Sequence, residues 1–202
     1  YITGESILSI VSQYNLLSGG GCLPPLWGLG CFYRCKTEFD QEKVLAMAKT
    51  FRQKHIPCDI LGLEPGWQSQ AYSCSYRWSE QRFPQPEKLL DQLRKEGFHV
   101  NLWEHAFTHP SAPIYKDLVP YSGDYLVWGG LVPDFATPEA RRIFADFHRT
   151  LHNQGVSGFK LDECDGSDYT GSWTFPNCAS FPSGMDGEQY HSLFGTLYAQ
   201  VI

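Results

Sequence analysis

The stretch Ser157-Gly158-Phe159-Lys160-Leu161-Asp162-Glu163-Cys164-Asp165-Gly166 crowds Asp162, Glu163 and Asp165 into consecutive or near-consecutive positions. Carboxylates this dense repel one another and are costly to desolvate, so packing alone gives a fold little reason to gather them. Phe159 and Leu161 alternate as one apolar face, so the stretch reads as a buried strand that runs out into acid. In barrels and open α/β sheets, the carboxyl end of a strand is where chemistry sits. A solvated turn is the plainer reading of the same pattern. Lys160 lies two positions before Asp162 and on the same side of a strand, where its ammonium would keep Asp162 ionised and nucleophilic. It could equally serve as a buried partner to another carboxylate. Glu163 would face the opposite side if the strand continued, which suits scaffold more than catalysis. Asp165 either hydrogen-bonds a substrate or caps the loop.

Other segments end in the same way. Cys58–Leu63 runs into Glu64-Pro65-Gly66-Trp67, His99–Leu102 runs into Trp103-Glu104, and an earlier apolar run ends at Tyr33-Arg34. Carboxylates and indoles converging on one rim, without a basic cluster to grip phosphate, suit a neutral hydroxylated substrate. Glu64, Glu104 and Asp162 can accept hydrogen bonds from sugar hydroxyls, and Trp67 and Trp103 can lie against a pyranose ring. A retaining glycosidase needs two carboxyl groups about 5–5.5 Å apart, one acting as nucleophile. Asp162 fits that role. A metal-dependent hydrolase is the rival reading, because Glu104-His105-x-x-x-His109 and the acidic cluster offer suitable ligands. The two imidazoles would share a face only on a helix, however, and Pro110 follows at once, so no metal site is assigned. A carbohydrate-binding module using the same rim without turnover is the other alternative. Neither Gly-x-Ser-x-Gly nor a phosphate-cradling loop occurs.

The elements that must position these residues alternate. Helical spacing covers 6–18, the stretch from Asp40 to Ile56, 84–96, the stretch from Thr137 to Gly155, and a last segment from Asp186. Apolar runs at 26–33, 58–63, 99–103 and 157–162 read as strands, with Trp27 and Phe32 as core. An irregular insert spans 68–82, and a Pro/Gly/Tyr-rich segment at 108–133 is long enough to suggest a substrate-facing loop. Alternation of this kind implies parallel strands joined by crossover helices. The expected fold is α/β: a (β/α)8 TIM barrel, of which this chain holds about the first four β/α units, because about 250 residues close such a barrel. Residues 1–22 form a lead-in helix and linker, and 23–202 the N-terminal half of the barrel.

Composition excludes several classes. The chain has 202 residues, 42% hydrophobic and 15% aromatic, with a net charge of -6. There is no basic stripe for nucleic acid and no apolar run of membrane length. The 7 cysteines fit neither a zinc site nor a disulfide framework and read as buried thiols with at most one bridge. The start, Tyr-Ile-Thr-Gly, suggests a piece of a longer protein and leaves localisation open.

Six motifs in order resemble glycoside hydrolase family 31, the α-glucosidase and α-xylosidase family. They are Leu23-Pro24-Pro25-Leu26-Trp27-Gly28-Leu29-Gly30, Ile56-Pro57-Cys58-Asp59-Ile60, Arg82-Phe83-Pro84 before Pro86-Glu87-Lys88-Leu89, Gly97-Phe98-His99-Val100, Val132-Pro133-Asp134-Phe135 with Thr137-Pro138-Glu139-Ala140, and Gly155–Asp162. The resemblance implies a retaining α-glycosidase without cofactor or metal, acting on carbohydrate. Asp162, in its Lys-x-Asp setting, would be the nucleophile. Glu64, Trp67, Trp103, Glu104, Lys160 and Asp165 are the candidate substrate-binding residues. The acid/base, a second Asp, is expected beyond Ile202, with the remainder of the barrel. Two departures bear on the sugar. Glu64-Pro65-Gly66-Trp67 replaces an Asp-rich segment, and Glu163-Cys164-Asp165 replaces a small or apolar continuation. Both make the chain similar to the family's less common, α-galactosidase-like branches.

Overall fold

The computed structural model describes residues 1–164 and 173–202, and the chain divides into two compact units, Tyr1–Gly30 and Cys31–Ile202. In the first, helix α1 (Ile7–Leu17) is capped by Ser6, whose hydroxyl accepts from the Ser9 amide at 3.2 Å. Gly19 and Gly20, both at positive φ, lead the chain out of it. Leu26–Leu29, expected to begin a strand, forms a 3-10 turn instead. The apolar count is right for a strand, but Pro24-Pro25 and two glycines favour a tight turn.

The second unit is built on a parallel sheet in the order β1-β2-β3-β6. Its strands are β1 (Phe32–Arg34), β2 (Ile60–Leu63), β3 (His99–Glu104) and β6 (Gly158–Leu161). Each crossover carries a helix: α2 (Gln41–Gln53), α3 (Pro86–Lys95) and α5 (Pro138–Gln154), with α6 (Gly187–Val201) following β6. The sequence signals at the helix ends act as read. Asp40 accepts from the Lys43 amide at 2.9 Å. Thr137 caps α5 with Pro138 in its first turn, and Gly155, at φ 116, ends it. Asp186 and Gln189 form a reciprocal capping box on α6.

Every residue of β2 is buried, as a central parallel strand covered on both faces should be. Leu61, Leu63, Val100 and Leu102 pack with Val44, Ala48, Leu89 and Leu93 of α2 and α3. Full burial of each such side chain contributes roughly 1.5–3 kcal/mol. A second cluster, centred on Phe107, Phe135, Phe144, Phe194 and Tyr198, joins α5 and α6 to the segment after β3.

Phe32, expected in the core, is 44% exposed because β1 is a three-residue edge strand. Its ring lies over Gly62, where a Cβ would come within 2.4 Å of it. The 108–133 segment is more ordered than a loop. It folds as a short helix α4 (Tyr115–Leu118), a 3-10 turn, and an antiparallel hairpin of β4 (Ser122–Val127) and β5 (Gly130–Pro133). Leu118, Val127, Leu131 and Val132 bury it in the second cluster. None of the 7 cysteines is joined in a disulfide. Among the described residues no helix is long and apolar enough to cross a membrane.

Candidate active site

Strand register decides which side chains meet. Trp103 is level with Lys160, and Glu104 with Leu161. Successive strand residues face opposite ways, so Trp103, Lys160 and Asp162 share the inner face while Glu104 turns toward the helices. The pairing of Leu63 with Leu102 brings Glu64, one residue on, to the level of Trp103.

The result is a row of alternating charges across the strand ends. Arg34 Nη2 is 2.7 Å from Glu64 Oε2, Lys160 Nζ is 3.7 Å from the same oxygen, and Lys160 Nζ is 3.1 Å from Asp162 Oδ2. The Trp103 indole donates to Asp162 Oδ2 at 2.6 Å, and the Glu163 amide donates to Oδ1 at 3.2 Å. Partial burial works against ionisation of Asp162, but the indole, the Lys160 ammonium and the Glu163 amide outweigh it and hold its carboxyl below the usual 3.8. Asp162 is therefore an anion with one side chain face open, since it remains 39% exposed. Lys160 serves both carboxylates, which unites the two roles weighed for it.

Arg34, Glu64, Trp103 and Asp162 line a cleft of about 550 Å³ together with Gly66, Gln70, Tyr72, Arg82 and Glu163. The chain approaches itself closely here: a Cβ on Gly66 would sit 1.8 Å from the Thr37 carbonyl oxygen. No larger residue fits at that turn.

Three expected substrate contacts are corrected. Trp67 is fully buried and donates its indole N–H to the Trp103 carbonyl at 2.7 Å, so it braces the site from within and offers no face to a sugar. Glu104 is also fully buried. Its Oε2 lies 2.9 Å from His148 Nε2 on α5, and its Oε1 accepts from Tyr198 on α6 at 2.8 Å. Trp103, only 1% exposed, acts through its N–H on Asp162 instead of lying against a pyranose. Asp165 lies outside the described residues.

Arg34, Tyr72, Arg82 and Glu163 complete the cleft without having been singled out as site residues. Glu163 was expected on the far face. The strand ends at Leu161, however, and Glu163 adopts φ 55, which turns it back into the cleft. Its Oε1 accepts from the Tyr72 hydroxyl at 3.3 Å. Burial and then Glu163 raise the Tyr72 hydroxyl to about 12. No local signal marks a left-handed glutamate, since Gly, Asn and Asp are the usual occupants.

The metal reading finds no support in the placement of its ligands. His105 is buried and its Nδ1 accepts from the Phe107 amide, while His109 Nδ1 lies 2.8 Å from the Ser111 hydroxyl. Burial holds His105 neutral, its pKa down to about 3. Among the described residues no three His, Cys, Asp or Glu side chains converge as ligands.

Parallel β/α units with an ionised aspartate at the carboxyl end of the fourth strand are half of a (β/α)8 barrel seen from its catalytic end. Comparison with known proteins agrees. The model of the glycosyl hydrolases family 31 TIM-barrel domain matches residues 21–202. The chain belongs to glycosyl hydrolase family 31. It is 28% identical over 175 residues to an alpha-xylosidase of Lactiplantibacillus pentosus, covering 80% of this chain and 23% of that one. An alpha-glucosidase of Saccharolobus solfataricus is 26% identical over 189 residues, 84% of this chain and 26% of that one. The fold superposes on a GH31 dextranase of Flavobacterium johnsoniae complexed with glucose, with a TM-score of 0.84 at 23% identity, over 98% of this chain and 26% of that one. The chain thus spans about a quarter of the length of these relatives.

Proposed function

We propose that the protein of which these residues are part hydrolyses terminal α-linked sugars with net retention. The observation that carries this reading is Asp162, held ionised by Lys160 and Trp103 at the floor of an open cleft. Asp162 attacks the anomeric carbon as the glycosidic C–O bond breaks. A second carboxylic acid, expected from a later strand, gives its proton to the leaving oxygen. Water, deprotonated by that second group, then displaces Asp162 from the glycosyl ester and restores the starting configuration.

Glu64 and Lys160 are the proposed binding partners for ring hydroxyls, with Arg34 fixing the Glu64 carboxylate. Trp103 positions the nucleophile. Glu64 and Glu163 are the two departures that turn the sequence toward α-galactosides. The named relatives bring α-xylosides and α-glucosides into the same test, and all three aryl α-glycosides belong in the panel. With the full-length protein, Asp162→Asn is expected to lower turnover on the order of 10⁴-fold. Undiminished hydrolysis by that variant overturns the assignment.

A further inference from the structure

Two thiols meet where β1 and β2 begin. The side chains of Cys31 and Cys58 lie within hydrogen-bond reach of each other. Cys58 Sγ is also 3.6 Å from the Cys31 carbonyl oxygen. Cys31 is exposed and Cys58 is buried. Strand register explains the meeting. Phe32 is level with Ile60, so Cys31 is level with Asp59 and Cys58 sits one residue off. Strands about 4.8 Å apart, with a step of about 3.3 Å along one of them, separate such Cα atoms by roughly 5.8 Å. Disulfides span about 4.4–6.8 Å between Cα atoms.

Both backbones are already fixed. The Cys31 amide donates to Asp59 Oδ2 at 3.0 Å, and its carbonyl accepts from the Asp59 and Ile60 amides at 2.9 and 3.1 Å. The Arg52 guanidinium donates twice to the Cys58 carbonyl at 3.1 Å and lies 3.6 Å from the centre of the Phe98 ring. Closing a bridge therefore asks for side-chain rotation alone. The buried thiol at the other end of β1 is badly placed for it. Arg34 is level with Gly62, so Cys35 is level with Leu63, and Cys58 lies several residues back along β2. Burial also raises the Cys35 thiol to about 12.

The geometry points to Cys31 and Cys58 as an oxidisable dithiol, closed to a disulfide by a low-molecular-weight disulfide such as oxidised glutathione. The exposed Cys31 thiolate attacks one glutathione sulfur, and a glutathione thiolate leaves. Cys58 then gives its proton to water and attacks the Cys31 sulfur, expelling the second glutathione thiolate. Two protein thiols are oxidised, one glutathione disulfide is reduced to two thiols, and no other reagent is needed. Exposure sets the order of the two steps. Burial, and then the Cys31 thiol, raise the pKa of Cys58, which suits it to the second, intramolecular step. The bridge staples a weak joint. β1 is a three-residue edge strand, and it carries Arg34, whose guanidinium holds Glu64 at the cleft. A link between positions 27 apart in sequence removes conformational freedom from the unfolded chain.

The test uses the full-length protein, and none of its readouts depends on turnover or on the role of Asp162. The protein is reduced with dithiothreitol, equilibrated with excess oxidised glutathione, alkylated at its remaining thiols and mapped by peptide mass. The expected product is one cross-linked peptide pair holding Cys31 and Cys58, two hydrogen atoms lighter than the reduced pair. An alkylated Cys31, a lasting glutathione adduct on Cys31, or a bridge from either residue to a different cysteine overturns the assignment. In Cys58→Ser the glutathione adduct on Cys31 should persist, because no neighbouring thiol expels it. Loss of the adduct in that variant, by a bridge to another cysteine, also overturns the pairing. The thermal unfolding midpoint should be higher for the oxidised parent than for the reduced parent, and Cys31→Ser should abolish the difference. An equal difference in Cys31→Ser overturns the staple.

Discussion

Asp162 and Lys160 behave as a pair whose chemistry follows from types and spacing, and both were legible in the sequence. A residue two positions away on a strand shares its face whatever the rest of the fold does. The electrostatics yield a signed prediction. As the proposed nucleophile Asp162 must be ionised, so activity should fall as pH drops through its pKa, which the structure holds below 3.8. Lys160→Met removes the adjacent cation, leaves burial to dominate and raises that pKa. The acidic limb of kcat/KM against pH is therefore expected at higher pH in the variant than in the parent, measured on a glycosyl fluoride. A coincident limb would show that the ammonium 3.1 Å away does not set the nucleophile's charge. Folding stability follows the same sign. A depressed carboxyl contributes stability above the ordinary carboxylate pKa, and that contribution is lost as pH falls through the folded-state value. Glu163 was less legible because its side is decided by one positive φ, which depends on where the strand stops.

At the scale of elements, the helices and inner strands could be read from caps and periodicity, because each signal is local. The misplacement of Glu104 has a different origin. Its face is set by register with β6, a partner more than fifty residues away, and a one-residue change of parity moves a side chain from the cleft to the helix layer. There Glu104 joins β3 to α5 through His148 and to α6 through Tyr198, all of them buried. Its backbone carbonyl also accepts from the Asp162 amide at 2.9 Å, so the same residue fixes the strand end that carries Asp162. Glu104→Ala leaves two buried polar groups facing a void, and a loss of roughly 3–5 kcal/mol is expected. Glu104→Gln, which retains an acceptor for Tyr198, should cost less. Thermal unfolding of the full-length variants measures this, and equal midpoints for Ala and parent would remove the tie from the account. The 108–133 segment was partly legible. Its length marked it as more than a connector, but the hairpin within it hinges on a Trp-Gly turn that turn preferences do not favour.

At the scale of the molecule, barrel geometry connects the open sheet to the second carboxyl that the proposed reaction needs. The sheet ends at β1 on one side and β6 on the other, and neither outer edge pairs with another strand among the described residues. All four residues of β6 are only half-buried, in contrast to the fully buried β2. In a closed barrel each edge would pair, the Lys160–Asp162 face would gain a second wall, and a later strand end would bring a second carboxyl to within about 5–5.5 Å of Asp162. Without that group the leaving oxygen departs unprotonated, which forfeits the general-acid contribution of about 10²–10⁴-fold. Open edges also template association with other chains. The 202 residues produced alone are therefore expected to self-associate in sedimentation experiments and to show no turnover of an unactivated α-linked disaccharide under conditions where the full-length protein turns it over. Activated substrates sharpen the result, because a leaving group that needs no proton bypasses the missing acid. Efficient hydrolysis of an unactivated disaccharide by the 202-residue polypeptide would mean that the cleft already holds its acid. Glu163, facing Asp162's cleft from the end of the same strand, would then be the group to replace next.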